Sequence, residues 1–535
     1  MLESSLRPAP GGSMKSNRFG VSLSLAAALA ILTACGAVDG GRLHYPKART
    51  DKVVDDYNGV KVADPYRWLE NTDSQETRRW IEAENALTKS YLRAIPGRQA
   101  IHDRLAKLWN YERYGVPFAR GDRYFFTRND GLQPQSVVYV TTSLDAEPRV
   151  LLDPNTFSKD GTVALSGLSV SHDGKYVAYS TSDGGSDWQE WHVRDVATGK
   201  DLPDHIRWSK FSGATWTADD AGFYYTRFAA PAAGEALKQA NYDQEVAYHR
   251  LGTDPATDPV IYRRPDHRDW TFGTEVSEDG RWLIVAVYKG TDSRNLLFYE
   301  DLTARKPKMR ELVREFTAGH RFVAADGRTF YLWTDRDAPH GRLVAVDLRR
   351  PNPARWKTVI PEGQDTLQSV HLVHDTFIAT YLHDAHSLVR FYSMDGTPAG
   401  ELELPGIGSV RGFDGRRADS ETFYAFSSFT TPTTIYRLDL TTGRSSIFKR
   451  PELPFDPSRF ETRQVFYTSK DGTRVPMFIT ARKGLRFDGL NPTLLYGYGG
   501  FNISLTPSFS PARLYWMERG GIYVVANLRG GGEYG

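Results

Sequence analysis

A short β run that returns about every 50 residues, each time behind an Asp-centred turn, limits what this chain can fold into. The runs are Tyr124-Phe125-Phe126-Thr127, Tyr176-Val177-Ala178-Tyr179, Phe223-Tyr224-Tyr225-Thr226, Trp282-Leu283-Ile284-Val285-Ala286, Phe330-Tyr331-Leu332, Phe377-Ile378-Ala379 and Phe423-Tyr424-Ala425. The turn aspartates are Asp122, Asp173, Asp219, Asp279, Asp326, Asp375 and Asp419, spaced 44 to 60 residues apart. Several short strands per repeat at this period read as propeller blades, and seven marks predict seven blades. The aspartates need no catalytic role, because an Asp carboxylate stabilises a turn by accepting nearby backbone N–H groups. A propeller alone is compatible with a binding scaffold as well as with an enzyme.

Composition agrees with a strand-rich globular protein. Hydrophobic residues are 40% and charged residues 25% of the chain, which is ordinary folded usage. Aromatics at 13%, with 47 Gly and 29 Pro, favour strands and turns. Lys+Arg 67 against Asp+Glu 65 leaves a formal charge of +2, which argues against a nucleic-acid partner. One cysteine excludes an intramolecular disulfide and a Cys-based zinc site. No H-E-x-x-H string occurs, so no metal is expected. Gly530-Gly531-Gly532 lacks the spacing and the Lys-Ser/Thr of a phosphate loop, so no cofactor is expected.

The first forty residues read as an address. A basic stretch, Met14 to Arg18, precedes an apolar run from Gly20 to Thr33. The run is too short to span a bilayer, which takes roughly 20 apolar residues, and charged start plus short apolar core is the pattern of a signal peptide. Met14 is then the expected true start. The only cysteine, in Leu32-Thr33-Ala34-Cys35-Gly36, resembles the lipobox of bacterial lipoproteins. That resemblance implies residues 1–35 as a signal peptide, lipid attachment at Cys35, and an exported protein, periplasmic or anchored to the outer membrane. Beyond this segment, Asp73-x-x-Glu76 reads as a capping-box start for a helix carrying Trp80, Ile81, Ala83, Leu87 and Tyr91. Pro96-Gly97 closes it, and Ile101, Leu105 and Leu108 predict a second helix.

The pattern changes again after Pro454-x-x-Pro457. Two alternating runs flank Ser469-Lys470-Asp471-Gly472-Thr473, a hairpin signal. Thr493-Leu494-Leu495-Tyr496 then runs into Gly497-Tyr498-Gly499-Gly500-Phe501-Asn502, and Ile522-Tyr523-Val524-Val525-Ala526-Asn527 runs into the terminal glycines. Apolar strands ending in Gly-rich loops fit the buried sheet of an α/β enzyme, whose ligands bind at the carboxyl ends of the strands.

The strings Tyr496 to Ser504 and Ala526 to Gly535 closely resemble prolyl oligopeptidases. Asp64-Pro65-Tyr66-Arg67-Trp68-Leu69-Glu70, Leu152-Asp153-Pro154-Asn155, Gly161 to Leu165 and Gly185-Ser186-Asp187-Trp188 resemble the same family in the same order. The resemblance implies a seven-bladed β-propeller inserted into an α/β-hydrolase domain, and a serine peptidase that cleaves short, proline-containing oligopeptides after proline. On it, residues 42–115 are the N-terminal helical part of the peptidase domain, 116–455 the propeller and 456–535 the beginning of the catalytic domain. Tyr498 is implied as the oxyanion donor, with Phe501 and Phe211 lining the substrate cavity.

The nucleophile is missing. An α/β-hydrolase carries its serine on a sharp Gly-x-Ser-x-Gly turn, and no serine here has glycine at both flanking positions. The resemblance puts serine, acid and histidine beyond Gly535, so the chain is expected to be a truncated fragment and inactive by itself. None of the 13 histidines is promoted to a catalytic base, and His172, His374 and His386 are read as structural. A half-built hydrolase sheet is expected to expose unpaired strand edges. Two alternatives stand beside the main reading: an oligopeptidase that prefers basic residues, and an exported propeller that only binds ligands.

Overall fold

The computed structural model describes residues 43–535, so the signal segment and Cys35 lie outside the described residues. The described residues divide into two compact units, one that runs up to Gln99 and the other Ala100–Gly535.

In the first unit a two-stranded hairpin, Val54–Tyr57 with Val60–Ala63, precedes helix α1 (Gln75–Ala94). The helix begins one residue later than the sequence pattern predicts. Ser74, in extended conformation, is the N-cap, and its Oγ accepts the Thr77 N–H at 3.1 Å. Asp73 instead pairs with Arg78 at 3.2 Å. Serine and aspartate are near-equal caps, so which of two neighbours takes the role depends on where the chain turns. Helix α2 (Arg98–Trp109) begins at the boundary and from Ala100 on belongs to the second unit, where its Leu108 is fully buried.

The second unit contains seven antiparallel sheets in chain order, spanning residues 113–152, 163–210, 215–263, 270–313, 320–360, 366–401 and 409–449. Each is a four-stranded meander. In the first, the innermost strand is split around Gly115–Pro117 into Arg113–Tyr114 and Phe118–Arg120, both paired with Arg123–Asn129. Proline has no N–H to give the ladder, which accounts for the break. Every blade has a register shift between its third and fourth strands, for example at Leu297/Phe298 and Leu343/Val344. Such bulges increase local twist, which splays the outer edge of each blade.

The blades hold together through one apolar cluster per interface. Trp282, Ile284 and Tyr299 meet Phe330, Leu332 and Val344 between blades four and five. Tyr331 and Leu343 meet Phe377 and Tyr381 between five and six. The ring closes between blades seven and one without strand pairing among the described residues. There Phe423, Ala425 and Ile435 pack on Tyr114, Val116 and Tyr124, and the Tyr124 hydroxyl donates to Glu421 at 3.0 Å.

The turn aspartates lie between the first and second strands of their blades. Asp173 accepts from Ser171 Oγ at 2.8 Å and the Lys175 N–H at 2.9 Å, and Asp219 from Thr217 Oγ1 at 2.7 Å and the Ala221 N–H at 3.2 Å. Asp326 and Asp375 serve differently. Both pair with Arg417, at 3.1 and 2.6 Å, on the long turn between the first two strands of blade seven. The Arg417 N–H also donates to Glu278 of blade four at 3.3 Å, and Arg416 donates to the His172 carbonyl of blade two at 3.0 Å. In a ring of seven, blade four is opposite blade seven, so this turn straps across the axis.

After blade seven the chain builds a second kind of sheet, in the order Phe460–Thr468, Arg474–Arg482, Ile522–Ala526, Thr493–Tyr496. The last two strands are parallel, with Leu494 opposite Tyr523, and helix α3 (Pro511–Glu518) connects them. This βαβ unit is what a parallel pair requires. Phe478, Tyr523, Val525, Leu514 and Met517 pack with Leu108 of α2, Ala385 of blade six and Phe429 of blade seven. Arg104 of α2 reaches Glu518 at the end of α3, Nε to Oε2 at 2.9 Å. The edge strand is exposed along its length, Leu495 at 64%.

Candidate functional site

Two glycine loops leave the carboxyl ends of the adjacent parallel strands and stack on one another. The first, Gly497–Asn502, follows the edge strand; the second, Asn527–Gly532, follows Ile522–Ala526. The Asn502 N–H donates to the Gly530 carbonyl at 2.9 Å. Side chains would separate the loops: a Cβ on Gly530, at φ +99°, would stand 2.0 Å from the Gly499 carbonyl oxygen. A Cβ on Gly499, at φ +69°, would stand 2.5 Å from that of Arg529. The glycines are therefore required by contact as well as by backbone conformation.

Below the loops, two polar side chains that the sequence reading did not single out fix the arrangement. Glu533 is buried, and its Oε1 accepts from the Leu505 N–H at 3.2 Å and from Asn527 Nδ2 at 3.0 Å. Asn527 Nδ2 also donates to the Leu505 carbonyl at 2.8 Å. The signal for these residues is an Asn and a Glu bracketing a glycine run, where a buried carboxylate must find donors. The outer side of the second loop is held by Arg529, which ion-pairs with Asp471 and donates to Ser469 Oγ at 3.1 Å in the neighbouring hairpin turn. Its end is held by the propeller. The Thr366 hydroxyl donates to the Glu533 carbonyl at 3.0 Å, and the Tyr534 hydroxyl donates to Asp384 at 2.7 Å. Burial, then the bond to Asp384, raises the Tyr534 pKa and keeps that phenol a donor.

On this platform Tyr498 is 46% exposed, and no hydrogen bond among the described residues engages its hydroxyl. Phe501 is three positions on, 77% exposed, with φ +53°. A bulky residue in the left-handed region costs about 1–3 kcal/mol and persists only where its surroundings impose it. Phe211 shares both traits: it is 71% exposed with φ +53°, at the end of the outermost strand of blade two. Its neighbour Lys210 stands 5.8 Å over its ring. No ring contact or hydrogen bond among the described residues joins Phe211 to the Tyr498 loop. The structure thus places Tyr498 and Phe501 on one loop and Phe211 on the propeller. Of the histidines read as structural, His172 sits 2.9 Å from Asp220, and burial depresses the pKa of His386.

A seven-bladed propeller joined to the opening strands of an α/β-hydrolase sheet, with a free phenol on a strand-end glycine loop, defines a class of hydrolase. Comparison with known proteins gives the family. Residues 45–451 match the family described as "Prolyl oligopeptidase, N-terminal beta-propeller domain". The chain is 40% identical over 513 residues to the prolyl endopeptidase of Elizabethkingia meningoseptica, covering 96% of this chain and 72% of that one. It is 34% identical to prolyl oligopeptidase A of Amanita bisporigera, covering 92% and 70% of the two chains. A solved structure from a study of two prolyl endopeptidases superposes with a TM-score of 0.85 at 38% identity, covering 92% of this chain and 72% of that one. Prolyl oligopeptidase B from Galerina marginata, bound to a 25-residue macrocyclisation substrate, gives 0.85 at 32% identity, covering 92% and 73%. The chain belongs to the prolyl oligopeptidase family.

Proposed function

We propose that this chain supplies the propeller and the oxyanion side of a serine endopeptidase that hydrolyses short peptides on the carboxyl side of proline. The observation that carries the reading is the Tyr498 hydroxyl, unengaged and presented on a loop that a second glycine loop and the buried Asn527–Glu533 pair hold in place. Attack of a serine on an amide carbonyl moves negative charge onto the carbonyl oxygen. A preorganised donor at that oxygen binds the transition state more tightly than the substrate. A phenol provides one such donor. The exposed rings of Phe501 and Phe211 offer apolar faces suited to a prolyl side chain and its flanks.

The serine, its general base and the acid that orients the base have no counterpart in residues 1–535, so this chain alone is proposed to be inactive. In a protein carrying the remaining triad-bearing segment, Tyr498→Phe is expected to lower kcat by about 10²–10³-fold with KM little changed. The test compares Gly-Pro and Arg-Arg reporter peptides on that protein and on the 535-residue chain. Turnover of the Gly-Pro reporter only by the longer protein supports the reading. Preference for Arg-Arg replaces it with a basic-residue oligopeptidase, and turnover of neither leaves a ligand-binding propeller. Export and lipidation at Cys35 are proposed from the N-terminal sequence. Cys35→Ser is expected to abolish labelling by a radioactive fatty acid.

A further inference from the structure

Blade two departs from the other six in its outer hairpin. Its outermost strand, Asp201–Lys210, is the longest in the propeller at 10 residues. Its pairing with Trp188–Asp195 shifts register twice, between Gln189 and Trp191 and between His192 and Arg194. Between those two shifts, His192 is held directly opposite His205. The imidazoles stack with centroids 4.7 Å apart and planes within 12°. Glu190 is two positions before His192 and therefore on the same face of the strand. Its Oε2 is 2.8 Å from His205 Nε2, and Arg207 Nε donates to its other oxygen at 3.2 Å. One donor atom from each of Glu190, His192 and His205 lies within 4.8 Å of the other two. Among the described residues no other group of three His, Cys, Asp or Glu side chains converges in this way.

We propose that Glu190, His192 and His205 form a Zn²⁺ site that clips the outermost strand of blade two to its neighbour. Two imidazoles and a carboxylate are the donor set of zinc rather than of calcium or magnesium, which take oxygen ligands. Tetrahedral zinc, with Zn–N and Zn–O near 2.0–2.2 Å, holds its ligand atoms roughly 3.3 Å apart. The 2.8 Å His205–Glu190 contact is already close to that span. No hydrogen bond among the described residues engages the His192 ring, which stacks on His205 and keeps a ring nitrogen open to a metal. Arg207 orients the carboxylate from outside the ligand set, and water completes the fourth position. The outermost strand of a blade is bonded on one side only, so a metal clip acts where the sheet has least support. No spacing along the chain marks this set, because His192 and His205 are brought together by pairing across strands.

The test uses the 535-residue chain and Zn²⁺ alone, titrated against a fluorescent chelator, with Co²⁺ as the spectroscopic substitute. One equivalent of zinc is expected to bind. Saturation with Co²⁺ is expected to give the intense visible bands of tetrahedral coordination. His192→Ala and His205→Ala should each weaken zinc binding by more than the roughly 10–100-fold that an outer-shell change costs. Arg207→Gln, outside the ligand set, should retain the cobalt spectrum. Melting of each variant in chelator should match the parent chain, and zinc should raise the melting temperature of the parent and of Arg207→Gln but not of the two histidine variants. Absence of tetrahedral cobalt bands from the parent chain would overturn the proposal. So would zinc binding with unchanged stoichiometry and affinity in both histidine variants. If an alanine variant fails to fold, the parent cobalt spectrum and His205→Gln decide the question.

Discussion

The interface between blades four and five and the seam between blades seven and one do the same job with different means. At the first, Trp282, Tyr299, Phe330 and Leu332 belong to a continuous buried cluster in which the Trp282 indole stands edge-on to Phe330 at 5.4 Å. At the seam the fully buried set shrinks to Phe423, Ala425 and Ile435. Partly buried aromatics surround it, and a polar fringe of Tyr124, Glu421 and Arg437 lies alongside. Among the described residues the ring is thus closed by side chains, with no ladder of backbone bonds across the seam. Hydrophobic free energy follows the area removed from water, so the seam is the interface expected to open first. The strap carrying Arg416 and Arg417 bears on this point, since it ties blade seven to blades two, four, five and six.

That contrast can be measured. Phe330→Ala removes a ring with 0% exposure from the strong interface and is expected to cost about 3–5 kcal/mol in denaturant unfolding. A much smaller loss would mean that the interface collapses around the cavity and is less rigid than its packing implies.

A comparable effect is expected between blades two and three, where charge replaces area. His249 is fully buried, with Nε2 2.8 Å from Asp204 and Nδ1 3.0 Å from Asp258. Tyr225 donates to the same Asp258 carboxylate at 2.9 Å. Burial by itself would depress the imidazole pKa, but the hydrogen bonds and charges of the two aspartates outweigh it and hold the group at about 9. The folded value lies above the ordinary 6.5. The stabilisation is therefore complete below about 6.5 and is lost as pH rises through about 9. His249→Ala leaves two buried carboxylates facing each other and should cost about 3–5 kcal/mol at neutral pH. It should also abolish that alkaline loss, read as the difference in urea midpoint between parent and variant across the pH range.

Tyr124→Phe, which removes the hydroxyl bonded to Glu421 across the seam, should cost about 1 kcal/mol. Hydrogen exchange should quicken in strands Arg123–Asn129 and Glu421–Ser427 before any other blade responds. Uniform quickening in all blades would show that the seam is not a separate opening unit. The smallest effect is expected from Arg417→Ala. Each partly exposed ion pair is worth about 0–1 kcal/mol, and the loss should shrink further in high salt.

Much of the architecture is legible in the chain because the signals are local. Seven Asp-centred turns at a near-constant period correspond to the seven sheets, since a turn is set by a few neighbouring residues whose side chain and backbone N–H groups meet within one hairpin. The hydrolase strands and their glycine loops are legible for the same reason. Local reading reaches its limit at α1, where two good caps stand side by side and the chain selects Ser74 over Asp73. It also fails for Asp326 and Asp375, whose partner, Arg417, lies 91 and 42 residues away.

Local patterning along the chain is enough to reveal the repeat, the change from blade to parallel sheet near residue 455, and Tyr498 and Phe501 as loop residues of a hydrolase-like strand end. Tertiary structure alone decided that Gly499 and Gly530 must be bare because two loops touch, and that Asn527 and Glu533 support the platform beneath Tyr498. It also decided that His249 is clamped between carboxylates from two blades, and that Glu190, His192 and His205 converge. The physical reason is register. A strand fixes which face each side chain occupies with a period of two, but which residue stands opposite it depends on pairing and bulges that no single strand encodes.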